Sequence, residues 1–206
     1  MSASPIHLLD CDLEAADLTG LDFSGTTFER CLLRRTDFSG ARMEATIWRS
    51  CRAAFALFTG ADLSEAKFQS SDFNNCSFRR ASLAGTSFEQ CKLTGADLTE
   101  ARAFDVRFNE VLLVGAKLPE HSFRKQSLRK VDFSQADLRK CDFRDAVLED
   151  CSLRDALMTG SKFVGADLRG ADLGGLRLVD ASLFRGAMIS AKQAGQLLAE
   201  LGLKVR

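Results

Sequence analysis

Residues 56–100 read ALFTG ADLSE AKFQS SDFNN CSFRR ASLAG TSFEQ CKLTG ADLTE, units of five in which the third residue is Leu or Phe and the first is small. The register extends both ways. From Leu8 to Leu183 in steps of five there are 36 centres, 18 of them Leu and 13 Phe, the rest being Met43, Trp48, Ala53, Ala103 and Met158. Two residues before each centre stand 15 Ala, 7 Cys, 4 Thr and 2 Ser. Residues 6–185 are therefore one array, with residues 1–5 a loose start and 186–206 a different C-terminal segment.

A period of five is neither the helical 3.6 nor the strand 2.0, so the repeat itself is the signal. A large apolar residue and a small one two positions before it share a face if the residue between them is extended. Eleven of the 15 glycines fall at the last position of a unit, where a turn with positive φ suits them. Short extended pieces joined by turns make the chain coil. Cys11, Cys31, Cys51, Cys91 and Cys151, like Gly20, Gly40 and Gly60, recur at multiples of twenty, so four units form one coil. The expectation is an all-β, four-sided β-helix of about nine coils, roughly 43 Å long at the spacing of stacked strands.

ADLSE, ADLTE, ADLRG and CDFRD resemble the A(D/N)LxX consensus of the pentapeptide-repeat family. The resemblance implies a right-handed quadrilateral β-helix. Fold alone does not assign activity.

The chain has 206 residues, 46% apolar and 27% charged, with formal net charge zero. This is the composition of one soluble domain. The opening SASPIHLLDCD lacks the basic region and cleavage pattern of a secretory signal, and no apolar run approaches the ~18 residues of a membrane span. The expected location is the cytoplasm. All seven Cys occupy the small inward position and show no zinc-ligand spacing. They read as buried core thiols, with no metal and no cofactor. His7 and His121 lie far apart, GxSxG, HExxH and GKS/GKT are absent, and Asp62, Asp72, Asp97 and Asp137 follow the repeat register. The expectation is that the chain is not an enzyme.

Several places break the pattern. The first coil carries Asp10, Asp12, Glu14, Asp17 and Asp22, −5 up to Phe28 with no Lys or Arg. A charged end guards an open edge against added strands, and a binding surface is the other reading. Ala53 and Ala103 lack bulk at the centre. Phe55 is expected to fold inward beside Ala53, whereas Phe104 is either repacking or an exposed contact. Val106, Val111, His121, Gln126 and Val131 replace small residues, and Pro119 removes a ladder donor, so an irregularity is expected there. The basic residues Arg124, Lys125, Arg129, Lys130, Arg139, Lys140 and Arg144 have no interleaved aromatics, which argues against direct nucleic-acid binding.

After Leu183 the register breaks. Ser190 and Gln193 form a capping box. Ala194, Leu197, Leu198 and Leu201 follow at helical spacing, and Gly202 is the stop. So short a helix must dock its stripe. Capping and a homodimer contact through Ala194, Leu197, Leu198, Leu201, Leu203 and Val205 are expected. GAMISAKQAGQLLAELGLKV resembles the C-terminal helix and tail of the Qnr-like and MfpA-like branch of the family, and with no inserted loop the chain is similar to its loopless members. That resemblance implies a non-catalytic DNA mimic that binds DNA gyrase or topoisomerase IV and modulates or protects against gyrase-targeting inhibitors. The alternative is a structural or adaptor rod with no topoisomerase contact. The candidate gyrase-facing carboxylates are Asp145, Glu149, Asp150, Asp155, Asp167 and Asp172.

Overall fold

The structure, a computed structural model, describes residues 6–175, 182–200 and 202–204. They fall into two units, one ending at Leu112 and one beginning at Leu113. In the first, β1 (His7–Leu9), β2 (Thr27–Glu29), β3 (Ile47–Arg49), β4 (Lys67–Gln69), β5 (Ser87–Glu89) and β6 (Arg107–Asn109) pair in parallel, each residue on the one twenty positions away. In the second, β7 (Ser127–Arg129) pairs with β8 (Val147–Glu149) in the same way, and α1 (Ala191–Glu200) follows. The other three sides of a coil pair through single bridges at the same step, as in Asp12 with Leu32, Asp17 with Asp37 and Asp22 with Arg42. The chain is thus a four-sided parallel β-helix with one short C-terminal helix, the class read from its pentads. The eight strands bound about seven turns, fewer than the nine counted. The count carried the register to residue 185, yet Phe184, not Leu183, stacks on Phe163, and Met188 pairs with Asp167. Beyond Gly174 the step is one residue longer.

Within a coil, five backbone N–H groups per pentad need acceptors. Asp137 N–H donates to Ala116 one coil back (2.8 Å), Leu138 and Lys140 donate one coil forward to Leu157 and Thr159 (2.9 and 3.0 Å), and Cys141 closes a turn on Leu138 (3.1 Å). The fifth, Arg139 N–H, donates to Oδ1 of Asp137 (3.2 Å). Residues 62–66 repeat the scheme, with Ser64 N–H on Asp62 Oδ1 (3.0 Å). The recurring Asp is therefore a turn-former, its side chain standing in for a backbone acceptor. None of the eight strands has Asp at that position, and at their corners the turn bond that Cys141 makes is missing. Cys31, Cys51 and Cys151 each donate to the central carbonyl of the strand one coil back, Leu8, Phe28 and Leu128, as Cys76 and Cys141 do to Ala53 and Leu118 off the strand face.

Corner residues have positive φ whether or not they are glycine, Gly170 excepted. Twenty-three non-glycine residues, from Asp10 to Asp155, lie between φ 49 and 65, and none is β-branched. At Gly95, φ 69, the coil beneath also comes close: a Cβ there would sit 2.4 Å from Asn75 Oδ1, so the Asn75 side chain would have to turn away. Pro119 occupies the second position of such a turn, whose N–H joins no ladder bond, so the expected disruption does not arise; proline is favoured there.

The core is a set of stacked columns. Phe28, Trp48, Phe68, Phe88 and Phe108 stack along one column at 4.1 to 5.5 Å; in the second unit Phe123, Phe143 and Phe163 stack at 4.6 and 4.7 Å. Phe55 does not fold inward. It is 45% exposed at a corner with Arg34 over its ring; Ala53 is fully buried, and Trp48 packs edge-on at 5.8 Å against Phe73, the centre one coil on from Ala53. Phe104 is 81% exposed and Ala103 only half-buried. Six of the seven free thiols are buried and Cys11 half-buried. Burial pushes Cys51, Cys91 and Cys151 up to about 11 and Cys141 to about 12, so they stay protonated and inert.

His121 replaces a small inward residue and is buried against Phe123, ring centroids 4.3 Å apart. Desolvation lowers its pKa to about 4. Because the folded value lies below the unfolded ~6.5, the unfolded chain takes up the proton first as pH falls. Stability should be unaffected above pH ~6.5 and fall by roughly 3 kcal/mol by pH ~4. Denaturant titrations across that window should show the loss in the wild type and its absence in His121→Ala.

Candidate interaction surface

The C-terminal helix is held by one side chain. Ser190 N–H and Oγ both donate to Gln193 Oε1 (2.7 and 2.8 Å), and Gln193 N–H donates to Ser190 Oγ (3.2 Å), closing the capping box. The amide of the same Gln193 donates to the carbonyls of Leu168 (2.6 Å) and Ala171 (2.8 Å). Gln193 is 6% exposed. It ties α1 to carbonyls of the last coil, a role its cap signature did not reveal. At the other end Gly202, at φ 78, and Leu203 donate to Ala199 and Leu198 (2.9 and 3.0 Å), the bond pair of a Schellman stop.

The expected dimer stripe is divided by this docking. Ala194 and Leu197 are half-buried, and Leu197 lines a cavity of about 260 Å³ with Arg154, Asp172, Gln193 and Ala199. Leu198 (38%) and Leu203 (56%) remain exposed. Leu201 and Val205 lie outside the described residues.

The six candidate carboxylates occupy two adjoining sides and their corners. Glu149 and Asp150 sit at the end of β8, and Asp167 continues the column of Val147. Asp172 continues that of Ser152, and Asp155 is the corner of that next side. Asp145 is the corner before the strand face, its Oδ1 lying where a Cβ on Gly165 would clash at 2.6 Å. Asp167 brings the turn form to the strand face: it accepts from Arg169 N–H (3.2 Å), and Ala171 N–H closes on Leu168. The Arg169 guanidinium then holds its carboxyl below the usual range. Arg154 pairs with Asp172 (2.9 Å) and Arg124 approaches Asp145 (4.0 Å). Glu149, Asp150 and Asp155 are exposed and have no ion-pair partner among the described residues.

Eight copies of the family described as pentapeptide repeats match within residues 11–47, 61–99, 71–109, 107–145 and 140–175. No curated protein matches the chain. Among solved structures it is similar to full-length QnrB1, a plasmid-mediated fluoroquinolone resistance protein. The TM-score is 0.65 at 21% identity, over 97% of this chain and 98% of that one. Two trypsin-treated variants of QnrB1 give TM-scores of 0.67 at 23% identity over 98% of both chains. HetL, involved in heterocyst differentiation regulation in the cyanobacterium Nostoc, covers 82% of this chain and 92% of its own at TM-score 0.45 and 23% identity. At these identities the likeness is one of fold.

Replacing Gln193 by Glu keeps an acceptor for Ser190 but leaves the Leu168 and Ala171 carbonyls facing a carboxylate without a donor. Unpaired buried acceptors cost about 1 to 3 kcal/mol each. Hydrogen exchange of α1 amides should accelerate strongly in Gln193→Glu while the β3–β5 amides keep wild-type protection; equal protection of α1 in both proteins would show that Gln193 does not hold the helix.

Proposed function

The chain belongs to the pentapeptide-repeat family, and from that membership we propose that it is a non-catalytic, cytoplasmic DNA mimic, a homodimer that binds DNA gyrase or topoisomerase IV and modulates gyrase-targeting inhibitors. The observation that carries the reading is the group Glu149, Asp150 and Asp155, exposed carboxylates without ion pairs among the described residues, on two adjoining sides of the unit that carries α1. A DNA duplex presents one negative charge per ~1.7 Å. A mimic must offer exposed carboxylates to the same basic enzyme surface. A two-fold contact through Leu198 and Leu203 places these groups twice, on both sides of the axis, which suits a two-fold symmetric topoisomerase. The non-catalytic reading is supported by what the polar residues already do: the recurring Asp side chains accept turn N–H groups, and burial keeps the thiols protonated. The fold shared with a fluoroquinolone resistance protein supports the choice of partner.

One observation favours the second reading, an adaptor with no topoisomerase contact. Asp145, Asp167 and Asp172 each face an arginine, and the chain as a whole is neutral. Half of the candidate surface is thus neutralised from within.

Light scattering at micromolar concentration should give twice 22.6 kDa, and Leu198→Glu should give the monomer; a wild-type monomer would remove the two-fold axis from the argument. With purified gyrase, excess protein should inhibit supercoiling or relieve fluoroquinolone-stabilised cleavage. Binding should weaken as salt rises and by about tenfold in Glu149→Lys/Asp150→Lys. No effect on gyrase with or without the drug would leave the adaptor reading.

A further inference from the structure

The first coil ends the ladder of its unit with hydrogen-bonding groups that every later coil uses. Leu32, Asp37 and Arg42 N–H groups donate back to Cys11, Ala16 and Leu21. Their counterparts one coil earlier, the N–H groups of Asp12, Asp17 and Asp22, have no backbone acceptor among the described residues. The carbonyls of Leu32 and Arg34 accept from Leu13 and Ala15, whereas those of Asp12 and Glu14 accept from no backbone N–H among the described residues. The side at 11–15 therefore offers one donor and two acceptors over three residues, the edge an extended strand pairs with. Apolar surface is open beneath it. Cys11 and Leu13 are half-buried, while Cys31 and Leu33, one coil on, are fully buried.

Charge states what fits there. Along the columns of this protein, carboxylates pair with cations one coil away: Asp10 with Arg30 (2.8 Å), Asp22 with Arg42, and Glu120 with Lys140 (2.8 Å). Asp12 and Glu14 have no such partner among the described residues. The residue above Asp12 is Leu32, and Arg34, above Glu14, is turned over the Phe55 ring. Asp17 stacks on Asp37, a like charge. A second copy of this edge would bring acid against acid and is repelled, so the occupant is a different, cationic chain.

We propose that the open side at residues 11–15 docks an extended segment of another protein with the order small, basic, apolar, basic, added as a parallel strand. Its apolar residue stacks on Leu13, its small residue lies over Cys11, and its two cations sit over Asp12 and Glu14. The acidic end that excludes other strands is thereby a selective one.

The test uses the full chain and a fluorescent Ala-Lys-Leu-Lys-Gly peptide, blocked at both ends. Anisotropy should show saturable binding, with amide shifts in NMR spectra confined to the first coil. Affinity should drop at least tenfold in Asp12→Lys/Glu14→Lys and when glutamates replace the peptide lysines, and stay unchanged in Glu149→Lys. Methylating the peptide backbone nitrogen at leucine, which leaves charge intact, should also weaken binding at least tenfold, a readout that needs no variant of the protein. No saturation at millimolar peptide, shifts elsewhere, or indifference to methylation would overturn the proposal. So would binding that appears only after residues 2–5 are removed, because the chain's own N-terminal segment would then be the occupant.

Discussion

In pentads built like residues 62–66 and 137–141, off the strand face, one backbone N–H has no backbone acceptor, and the fold depends on how it is served. The turn at such a corner places this donor, on the residue after the centre, outside both ladders. Asp two residues earlier reaches it, as at Asp62 and Asp137. The corner residue itself is forced into the left-handed region, at a cost of roughly 1 to 2 kcal/mol for a side chain. Its own ladder bond, like that of Lys140 to Thr159, and the turn bond that follows offset that cost. Twenty-three tolerated non-glycine corners show that hydrogen bonding outweighs local preference, and the absence of β-branched residues among them marks how far the tolerance goes.

From this constraint comes a molecule organised by columns. Each side chain meets its counterpart twenty residues away, so aromatic stacks form where Phe follows Phe, and ion pairs where Arg or Lys follows an acid, as at Asp10 with Arg30, Asp22 with Arg42 and Glu120 with Lys140. Net charge is then a poor guide to a surface. Arg139 and Arg169 pair with Asp137 and Asp167 within their own turns, while Glu149 and Asp155 have no ion-pair partner among the described residues although the chain sums to zero. Surface ion pairs of this kind are individually weak. Their effect here is on which faces carry a field rather than on stability.

The periodic part of this structure was legible because a strict repeat puts the same physical demand at the same position many times. Pentad register, the twenty-residue coil, the inward thiols and the cap at Ser190 all follow from such signals. What escaped was local. Phe55 is expected inside, but at its corner, with φ 65, it is exposed, while Ala53 is buried all the same. Pro119 looked disruptive only while its N–H was assumed to matter. The strand face, too, was written in the sequence as the one column whose pentads lack Asp before the centre until Asp167, a signal of absence. Of the candidate site, α1 and its exposed Leu198 could be read. Gln193 could not, because a capping residue and a tether to the last coil share the same sequence pattern.

A repeat offers function few places to reside, since its interior positions are fixed by stacking and its polar groups are already used in turns. The ends are different, because there the coil's own demands go unmet. At the C-terminal end the demand is answered by Gln193, whose amide takes two carbonyls of the last coil and leaves Leu198 and Leu203 facing out. At the first coil, among the described residues, nothing answers it on the side at 11–15, where donors, acceptors, half-buried Leu13 and two carboxylates coincide. The same column rule that packs coil on coil bears on both proposed complements, an apolar two-fold one at Leu198 and Leu203 and an extended cationic one at Asp12 and Glu14. As proposed, both continue the fold's own chemistry, and they differ because α1 follows the coil near Ala171 whereas carboxylates line the side at 11–15.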